Sequence, residues 1–426
     1  MQRLRSTSVP LCRQAGFTVL EMLVSLAVTT ILLLAVLATF DLNNRVAKAQ
    51  TNMADMQQSL RVAQDDVVRL FRMAGRGGLP LVEAPNFPLP SGVALQIRDN
   101  VADNQFMLDG NNATRILPGT DVVTVRGVFS TLYQTNTSGA LTLNPTDNPT
   151  TGTVTISSVT PGGSTQDLSP LVAAINSGLP EPILLVSTLD DGIHAVVQLV
   201  PGTSSYTTTG VKSVTLGFSV TGGSLTDSYG RLSTGGSFPA ALRNVAYVGI
   251  LEEYRYYVRE EHAIAGDRTS ELAPKLARAR FYPGSNQPYA GDAGNAGLDL
   301  ADNILDLQVA LAFDSKNGGA RADDTDNTGT DDTILETVDG TNDDWLFNSS
   351  SDKAADAVWQ GAPAPAVQYL RITTLARTDK RDFQYQSPLL TKLEDHSYLV
   401  SDPANTAVAR SYRRRPLRTV IDLRNL

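Results

Sequence analysis

The chain has 426 residues, with 44 acidic and 35 basic side chains and a formal net charge of −9. This balance disfavours a general basic surface for nucleic acid, and we expect no nucleic-acid partner. The length allows one large domain or two to three ordinary ones. The single cysteine, Cys12, precedes a long apolar run, so a chain that loses its N-terminus contains no disulfide.

The N-terminus combines a basic leader with an apolar run. The first sixteen residues carry Arg3, Arg5 and Arg13 and no acid, and residues 22 to 40 carry no charge at all. A helix of about 20 apolar residues spans a bilayer, and the arginines place this end in the cytoplasm. Glu21 stands at the start of the run, where an ionised carboxylate is costly without a partner.

Two simple interpretations leave this glutamate unexplained. A secretory signal peptide cleaved after Ala49 would have an apolar core of only roughly 7 to 15 residues, without an acid. A plain single-pass anchor gives Glu21 no role. Cutting after Gly16 would instead create a new α-amino group, and the amine of a neighbouring helix would then be a partner for the Glu21 carboxylate.

The sequence Gly16-Phe17-Thr18-Val19-Leu20-Glu21, followed by an apolar helix, resembles the class III signal of type IV prepilins and type II secretion pseudopilins. The resemblance implies a cleaved leader over residues 1–16, with a prepilin peptidase cutting after Gly16 and N-methylating Phe17. It also implies that Glu21 serves subunit docking.

Apolar residues continue beyond the membrane-length run at helical spacing, which is typical of an amphipathic helix with one buried seam. The predicted seam consists of Val46, Ala49, Met53, Met56, Leu60, Ala63, Val67 and Leu70. We predict one helix over about 17–74, ended by Gly75. Its half at 17–40 lies in the membrane or filament core, and its half at 41–74 is amphipathic.

From residue 75 onward the pattern is β-rich. Runs rich in β-branched and aromatic residues predict strands within 120–129, 152–159, 181–189, 193–200, 211–220 and 244–260. Residues 169–179 predict a short helix. The fold class is therefore α+β and type IV pilin-like, with the long helix packed on an antiparallel β-rich head, first part 75–260, with long loops.

The last third, 261–426, resembles the PilW-type minor pilins of type IV pili in four blocks, at 268–284, 300–319, 366–382 and 411–426. Within them, Ile304, Leu307, Val309 and Leu311 predict a core strand, and Leu370 and Ile372 a second one. Val420 and Leu423 belong to a predicted final strand. We interpret the arginines Arg413, Arg414, Arg415 and Arg418 as a solvated edge that resists strand addition.

Acidic residues are dense between 314 and 356, and one stretch approaches a calcium loop. Calcium takes about six to eight oxygen ligands, and the candidates are Asp324, Asp326, Thr328, Asp332 and Glu336. Thr328 replaces a usual acidic ligand, and Glu336 comes one residue late. A loop held open by charge repulsion is the first interpretation, and calcium is the alternative. No other cofactor is expected.

The resemblance implies a minor pilin that takes part in priming, assembly or the tip complex of a type IV pilus. Its expected partners are other minor and major pilins, the prepilin peptidase and the inner-membrane assembly platform. We expect a single-pass inner-membrane protein with a periplasmic head before assembly, and a surface pilus afterwards. A type II secretion pseudopilin is the alternative, followed by a membrane-anchored adhesin or enzyme.

Catalytic motifs give the enzyme interpretation little support. The sequence has no GxSxG motif, phosphate loop or histidine pair, so we expect no enzyme. Asp306 and Asp314 are interpreted as loop or strand-end residues.

Overall fold

The computed structural model describes most of the chain in segments separated by gaps. These are residues 18–77, 79, 94–103, 105–108, 113–135, 141–144, 151–178, 181–187, 194–207, 212–219, 245–264, 267, 270–284, 288–289, 297–314, 345–346 and 366–423. The chain divides into two compact units, residues 1–54 and residues 55–426.

One long helix dominates the N-terminal part of the described chain. Helix α1 runs over Val19–Phe71, and its 53 residues contain neither proline nor glycine, so nothing in the backbone chemistry interrupts it. Among the described residues two short α-helices follow, α2 over Ser169–Ser177 and α3 over Ala407–Arg410. Single 3₁₀ turns occupy Pro201–Thr203 and Pro403–Asn405.

The rest of the described structure is mainly strand. The strands are β1 Leu95–Arg98, β2 Phe106–Leu108, β3 Ala113–Arg115, β4 Val122–Gly127, β5 Leu132–Gln134, β6 Leu141–Asn144, β7 Thr151–Ser157, β8 Pro182–Ser187, β9 His194–Leu199, β10 Ser205–Tyr206 and β11 Ser213–Ser219. They continue with β12 Val245–Ile250, β13 Glu252–Arg259, β14 Lys275–Phe281, β15 Leu298–Asp302, β16 Ile304–Asp314, β17 Trp345–Leu346, β18 Ala366–Arg377, β19 Lys392–Leu393, β20 His396–Ser397 and β21 Arg414–Asp422.

These strands form three larger antiparallel sheets. The first has the order β1-β4-β13-β14-β15, and the third has the order β17-β16-β18-β21. The second has eight strands, in the order β5-β12-β8-β9-β11-β7-β6 with β10 beside β11. Two hairpins, β2-β3 and β19-β20, complete the described pairings. The predicted α+β class with an antiparallel, β-rich head is confirmed.

The core of the second unit consists of separate clusters. The larger one joins Leu60 and Val67 of α1 to Val125 of the first sheet and to Val309 and Leu370 of the third. A second cluster lies between α2 and the eight-stranded sheet. The C-terminal half of α1 is thus part of the core that joins the first and third sheets. Most of the buried residues of the second sheet lie in the second cluster, although Val196 of β9 belongs to the larger one.

Two expectations about elements need correction. The run at 244–260 was expected to be a single strand, but Leu251 separates β12 from β13, and the two strands belong to different sheets. The buried side of α1 begins only at Met56, since Val46 is 47% exposed. Gln64 and Phe71 also belong to the buried side, which the apolar pattern did not include.

The remaining predicted elements agree with the structure. Strands β4, β8, β9 and β11 and helix α2 lie within the predicted ranges, and β7 begins one residue before its range. Residues 304, 307, 309 and 311 are all buried in β16. Strand β21 is the edge strand of the third sheet, as predicted. Two of the four arginines assigned to this edge form ion pairs, Arg413 with Asp382 and Arg418 with Glu394.

Candidate functional site

The start of helix α1 is organised by Thr18 and Glu21. The backbone N–H and the hydroxyl of Thr18 donate to Oε2 of Glu21 at 2.9 and 3.0 Å, and the Glu21 N–H donates to the Thr18 hydroxyl oxygen at 3.2 Å. This reciprocal pattern is a capping box, which satisfies backbone donors that have no partner within the helix. The Thr-x-x-Glu spacing was visible in the sequence, but its capping role was not predicted.

The cap uses only part of the glutamate. All three hydrogen bonds involve Oε2 or the backbone, and Oε1 of Glu21 accepts no hydrogen bond from the described residues. The side chain is exposed in the single chain. A carboxylate oxygen at the end of an apolar helix therefore stays available to a donor from outside the chain.

The helix that follows is suited to an apolar environment. Within the part of the chain that the structure describes, α1 is the one helix long and apolar enough to cross a membrane. None of the residues in its most apolar stretch is buried. Large side chains such as Leu23, Ile31 and Phe40 are each more than half exposed. A surface of this kind is unfavourable in water and marks a membrane or protein interface.

Hydroxyl groups along this helix are satisfied internally. Thr29 donates to the carbonyl of Ser25 at 2.7 Å, Thr30 to that of Leu26 at 2.7 Å, and Thr39 to that of Ala35 at 2.9 Å. These bonds to the preceding turn leave the hydroxyl protons with partners where water is absent. The polar residues of the run are thus compatible with a bilayer or a packed helix bundle.

The predicted cleavage and methylation residues, Gly16 and Phe17, lie outside the described residues. So do all the candidate calcium ligands, Asp324, Asp326, Thr328, Asp332 and Glu336. Among the residues that the structure describes, no group of three His, Cys, Asp or Glu side chains is placed to hold a metal ion. Calcium in the acidic loop stays a prediction.

The C-terminal half of α1 is held by polar contacts as well as by its apolar side. Gln64 is 6% exposed; its amide donates to the Thr374 hydroxyl at 3.1 Å and to the Leu417 carbonyl at 3.0 Å. The Thr419 hydroxyl donates back to Oε1 of Gln64 at 2.6 Å. This buried glutamine therefore fixes the helix to strands β18 and β21, which lie in the C-terminal region.

A second polar contact joins α1 to the first sheet. Nη1 of Arg278 donates to both oxygens of Asp66 at 2.8 Å, and the Tyr256 hydroxyl donates to Oδ2 of Asp66 at 3.0 Å. Burial, and then the neighbouring Asp66 charge, raise the pKa of Tyr256, which keeps its proton for this bond. Phe71 packs on the same tyrosine, with 5.7 Å between ring centroids.

Asp306 differs from its predicted place at a loop or strand end. It lies inside β16, is fully buried, and accepts a hydrogen bond from Gln308 at 2.8 Å and another from the Tyr398 hydroxyl. Nδ1 of His396 lies 2.8 Å from its Oδ2. The ring of His396 also packs closely on Gly119. These contacts fasten the β19-β20 hairpin to β16, which is a structural role.

Comparison with protein families gives two matches. Residues 255–425 match the model of "Type IV Pilus-assembly protein W", and residues 11–37 match the "Prokaryotic N-terminal methylation motif". The first match begins inside β13 and includes the whole third sheet, and the second contains Thr18 and Glu21. No curated protein and no solved structure gave a significant match.

The two matches cover different parts of one architecture. The methylation-motif match includes the first, exposed part of α1, up to residue 37. The PilW-matched region supplies Thr374, Leu417 and Thr419, which hold the buried half of the same helix. The first description names a pilus-assembly protein, and the second names a methylation motif. The chain is therefore similar to PilW-type pilus-assembly proteins over residues 255–425 and to the N-terminal methylation motif over residues 11–37.

Proposed function

We propose that this protein is a minor pilin that is cleaved after Gly16, methylated on Phe17 and then inserted into a type IV pilus during its priming or at its tip. The observation that carries the proposal is one continuous helix with two different surfaces. Its N-terminal half exposes apolar side chains, and its C-terminal half is buried in the core that contains the PilW region. A subunit with this division can leave a bilayer and pack into a helical filament core.

In this proposal Glu21 has two successive partners. In the single chain Thr18 caps the helix through Oε2 of Glu21, as the three hydrogen bonds support. In the filament, Oε1 of Glu21 accepts a hydrogen bond from the methylated amine of a neighbouring subunit. Because a buried amine without a counter-charge is strongly unfavourable, each pairing favours the addition of a correctly placed subunit.

The location follows from the same segment. Arg3, Arg5 and Arg13 favour a cytoplasmic N-terminus, so the second unit is expected on the outer side of the inner membrane before assembly. The proposed partners are other minor and major pilins, the prepilin peptidase and the assembly platform. A type II secretion pseudopilin shares the methylation motif, but the PilW match favours the pilus. We propose no catalytic activity.

The test compares two substitutions within the capping box. Glu21→Ala removes both the cap and the docking carboxylate, whereas Thr18→Val removes only the hydroxyl bonds of the cap. We expect both variants to be processed and retained in membranes. Glu21→Ala should reduce the amount of the chain in sheared surface filaments by at least about tenfold, because an unpaired buried charge costs more than 1.4 kcal/mol.

Thr18→Val is the matched control, since loss of a cap costs only about 1 kcal/mol. It should remain in filaments at close to the wild-type amount. Equal losses for both variants would show that Glu21 acts only as a helix cap, and the docking role would then be abandoned. Both amounts are measured by immunoblotting of the filament fraction against the membrane fraction.

Calcium binding by the acidic segment is a separate proposal that rests on sequence alone. If Asp324, Asp326 and Asp332 hold the ion, calcium should raise the unfolding temperature of the full chain in micelles relative to the same sample with a chelator. Asp326→Ala should abolish that difference. An unfolding temperature that is the same with calcium and with chelator would exclude a stabilising site.

A further inference from the structure

The chain between β18 and β21, residues 378–413, packs on the third sheet and is called the C-terminal lobe below. On its inner side, Leu393 shares a small core with Leu305 of β16 and Leu375 of β18. Large apolar side chains of the lobe that lie outside this core face water instead, and they are the feature that needs a partner.

The outer side of the lobe exposes five large apolar side chains. Phe383 is 87% exposed and Val400 is 76% exposed, and the others are Leu389, Leu399 and Val408. Single exposed apolar residues are ordinary on a protein surface, but a group of them marks a contact with another protein or with a membrane.

Hydrogen bonds hold the turns that carry these side chains beside one another. The buried Asn405 amide donates to the carbonyls of Leu390 and Leu399 at 2.8 and 2.9 Å, and its Oδ1 accepts from the Leu390 N–H at 2.9 Å. The Ser387 N–H donates to the Arg410 carbonyl at 2.7 Å, and Nε of Arg410 donates to the Ser387 carbonyl at 2.8 Å. The apolar side chains are therefore carried by one connected structure rather than by independent loops.

Basic side chains accompany this apolar surface. Among the described residues, four of them in or beside the lobe have no carboxylate within ion-pair distance, namely Lys380, Lys392, Arg410 and Arg414, the first residue of β21. Nη2 of Arg414 donates only to the Ala404 carbonyl. Burial, and the nearby charge of Arg410, lower the pKa of Arg414. These positive charges favour an anionic partner.

The acids of the lobe do not cancel this charge. Glu394 and Asp395 are buried, and Asp382 is paired with Arg413. The acids that remain are Asp379 and Asp402. Four unpaired basic groups therefore stand against two acids at the surface that exposes the apolar side chains.

A lipid surface meets both requirements. Among the described residues, α1 is the one helix long and apolar enough to cross a membrane, and a chain anchored by it keeps the lobe tethered to a bilayer. Tethering raises the effective concentration of the lipid surface. The interfacial layer of a bilayer accepts apolar side chains, and anionic headgroups attract lysine and arginine.

We propose that the C-terminal lobe docks on an anionic phospholipid surface, with its exposed apolar side chains in the interfacial layer and its unpaired basic groups against lipid phosphates. This inference rests on the membrane anchoring in the proposed function, but it requires neither cleavage after Gly16 nor the docking role of Glu21. Docking of this kind would hold the lobe on the membrane before the subunit enters a filament.

The test uses the full chain with Cys12→Ser, which leaves no thiol, because Cys12 is the single cysteine. Val400→Cys then carries a polarity-sensitive fluorophore in nanodiscs of phosphatidylcholine, either alone or with an equal amount of phosphatidylglycerol. We expect its emission to shift to shorter wavelength only in the anionic discs. Sodium chloride at about 1 M should reverse most of the shift, because the screening length falls to about 3 Å.

Lys380→Gln combined with Lys392→Gln removes two of the unpaired charges at exposed positions. The ratio of docked to undocked label should then fall by about tenfold or more, because each basic side chain adds to the attraction for anionic lipid. Lys380→Arg combined with Lys392→Arg keeps both charges and should keep the shift. An unchanged ratio in the double glutamine variant would contradict the proposal.

Two further labels separate lipid docking from the anchoring on which it rests. Leu32→Cys lies in the apolar stretch of α1 and should emit at short wavelength in both kinds of disc. Ile264→Cys, at a position outside the lobe that is 61% exposed, is the matched control and should emit alike in both. A water-like emission from Leu32→Cys would overturn the anchoring and the inference together.

With α1 inserted, an emission of Val400→Cys that is the same in both kinds of disc would overturn lipid docking and leave the anchoring standing. An equal shift of Ile264→Cys would have the same consequence. A shift that also appears in pure phosphatidylcholine and disappears with one chain per disc would assign the surface to a second copy of this chain, which likewise overturns the proposal.

Discussion

Asp395 is a buried carboxyl group that shares a small space with two other acids, Asp99 and Asp121. Asn100 connects the three: its side-chain amide donates to Asp395 at 2.7 Å and to Asp99 at 3.1 Å, and its backbone N–H donates to Asp121 at 2.9 Å. Burial, and then Asp99, raise the pKa of Asp395 to about 8. Burial and both neighbouring acids also raise the pKa of Asp121.

This acidic cluster makes the stability of the second unit depend on pH. A carboxyl group with a raised pKa in the folded state contributes fully below its unfolded pKa of about 4, and the contribution is lost as pH rises through the folded value. Asp395→Asn removes the ionisation but keeps an oxygen that accepts the Asn100 hydrogen bond. The variant should therefore gain stability relative to the wild type as pH increases.

We expect Asp395→Asn to exceed the wild-type free energy of unfolding by at least about 1.4 kcal/mol at pH 8, and by much less at pH 4. Urea titration of the full chain in micelles, followed by far-ultraviolet circular dichroism, measures the difference. Asp55→Asn, at an exposed position of α1, should show no such trend. A difference that is the same at both pH values would contradict the assigned ionisation.

At the scale of elements, Gln64 shows how a polar residue holds a helix in place. It lies among Leu60, Ala63 and Val67 on the buried side of α1, and its amide group bridges two strands. An apolar side chain of similar size would fill the space but leave the Leu417 carbonyl and two threonine hydroxyls without this partner. The helix attachment therefore depends on hydrogen bonds that the apolar pattern does not reveal.

We expect Gln64→Leu to lower the free energy of unfolding of the second unit by about 1–3 kcal/mol. Gln58→Leu makes the same substitution on an exposed position of the same helix and should change stability by less than about 0.5 kcal/mol. Both variants are compared by urea titration. If Gln64→Leu were as stable as the wild type, the buried glutamine would have no role in holding α1.

Local sequence patterns predicted many of the longer strands, including β4, β8 and β16, because β-branched runs and glycine boundaries are local signals. They did not predict the break at Leu251, because β12 takes its partners from β5 and β8 whereas β13 takes them from β4 and β14. Two of these partners, β5 of β12 and β4 of β13, lie more than a hundred positions away in sequence. The same reason explains the buried position of Asp306, because its partners His396, in β20, and Tyr398, directly after β20, lie 90 and 92 positions away.

The residues of the candidate site also differ in whether a local motif or long-range contacts bring them together. Gly16, Phe17 and Glu21 form one short motif, so a resemblance to prepilins was recognisable from six residues. The contacts of Gln64 have no such motif, since Thr374, Leu417 and Thr419 lie more than 300 positions away in sequence.

At the scale of the whole molecule, the two family matches leave a middle part unmatched. Residues 38–254 lie outside both, and they include every strand of the eight-stranded sheet. Most of the buried residues of that sheet pack with α2, whereas the PilW region shares a core with α1. The core around the C-terminal half of α1 thus combines residues of the PilW-matched region with β1 and β4 of the unmatched part.

The most direct measurement is the intact mass and N-terminal residue of the protein recovered from sheared surface filaments. The account predicts a chain that begins at N-methylated Phe17 and has lost the sixteen-residue leader with Cys12. A chain that begins near Gln50, or one that still contains Cys12, would leave Glu21 without a neighbouring amine. Either result would contradict the assignment as a pilin.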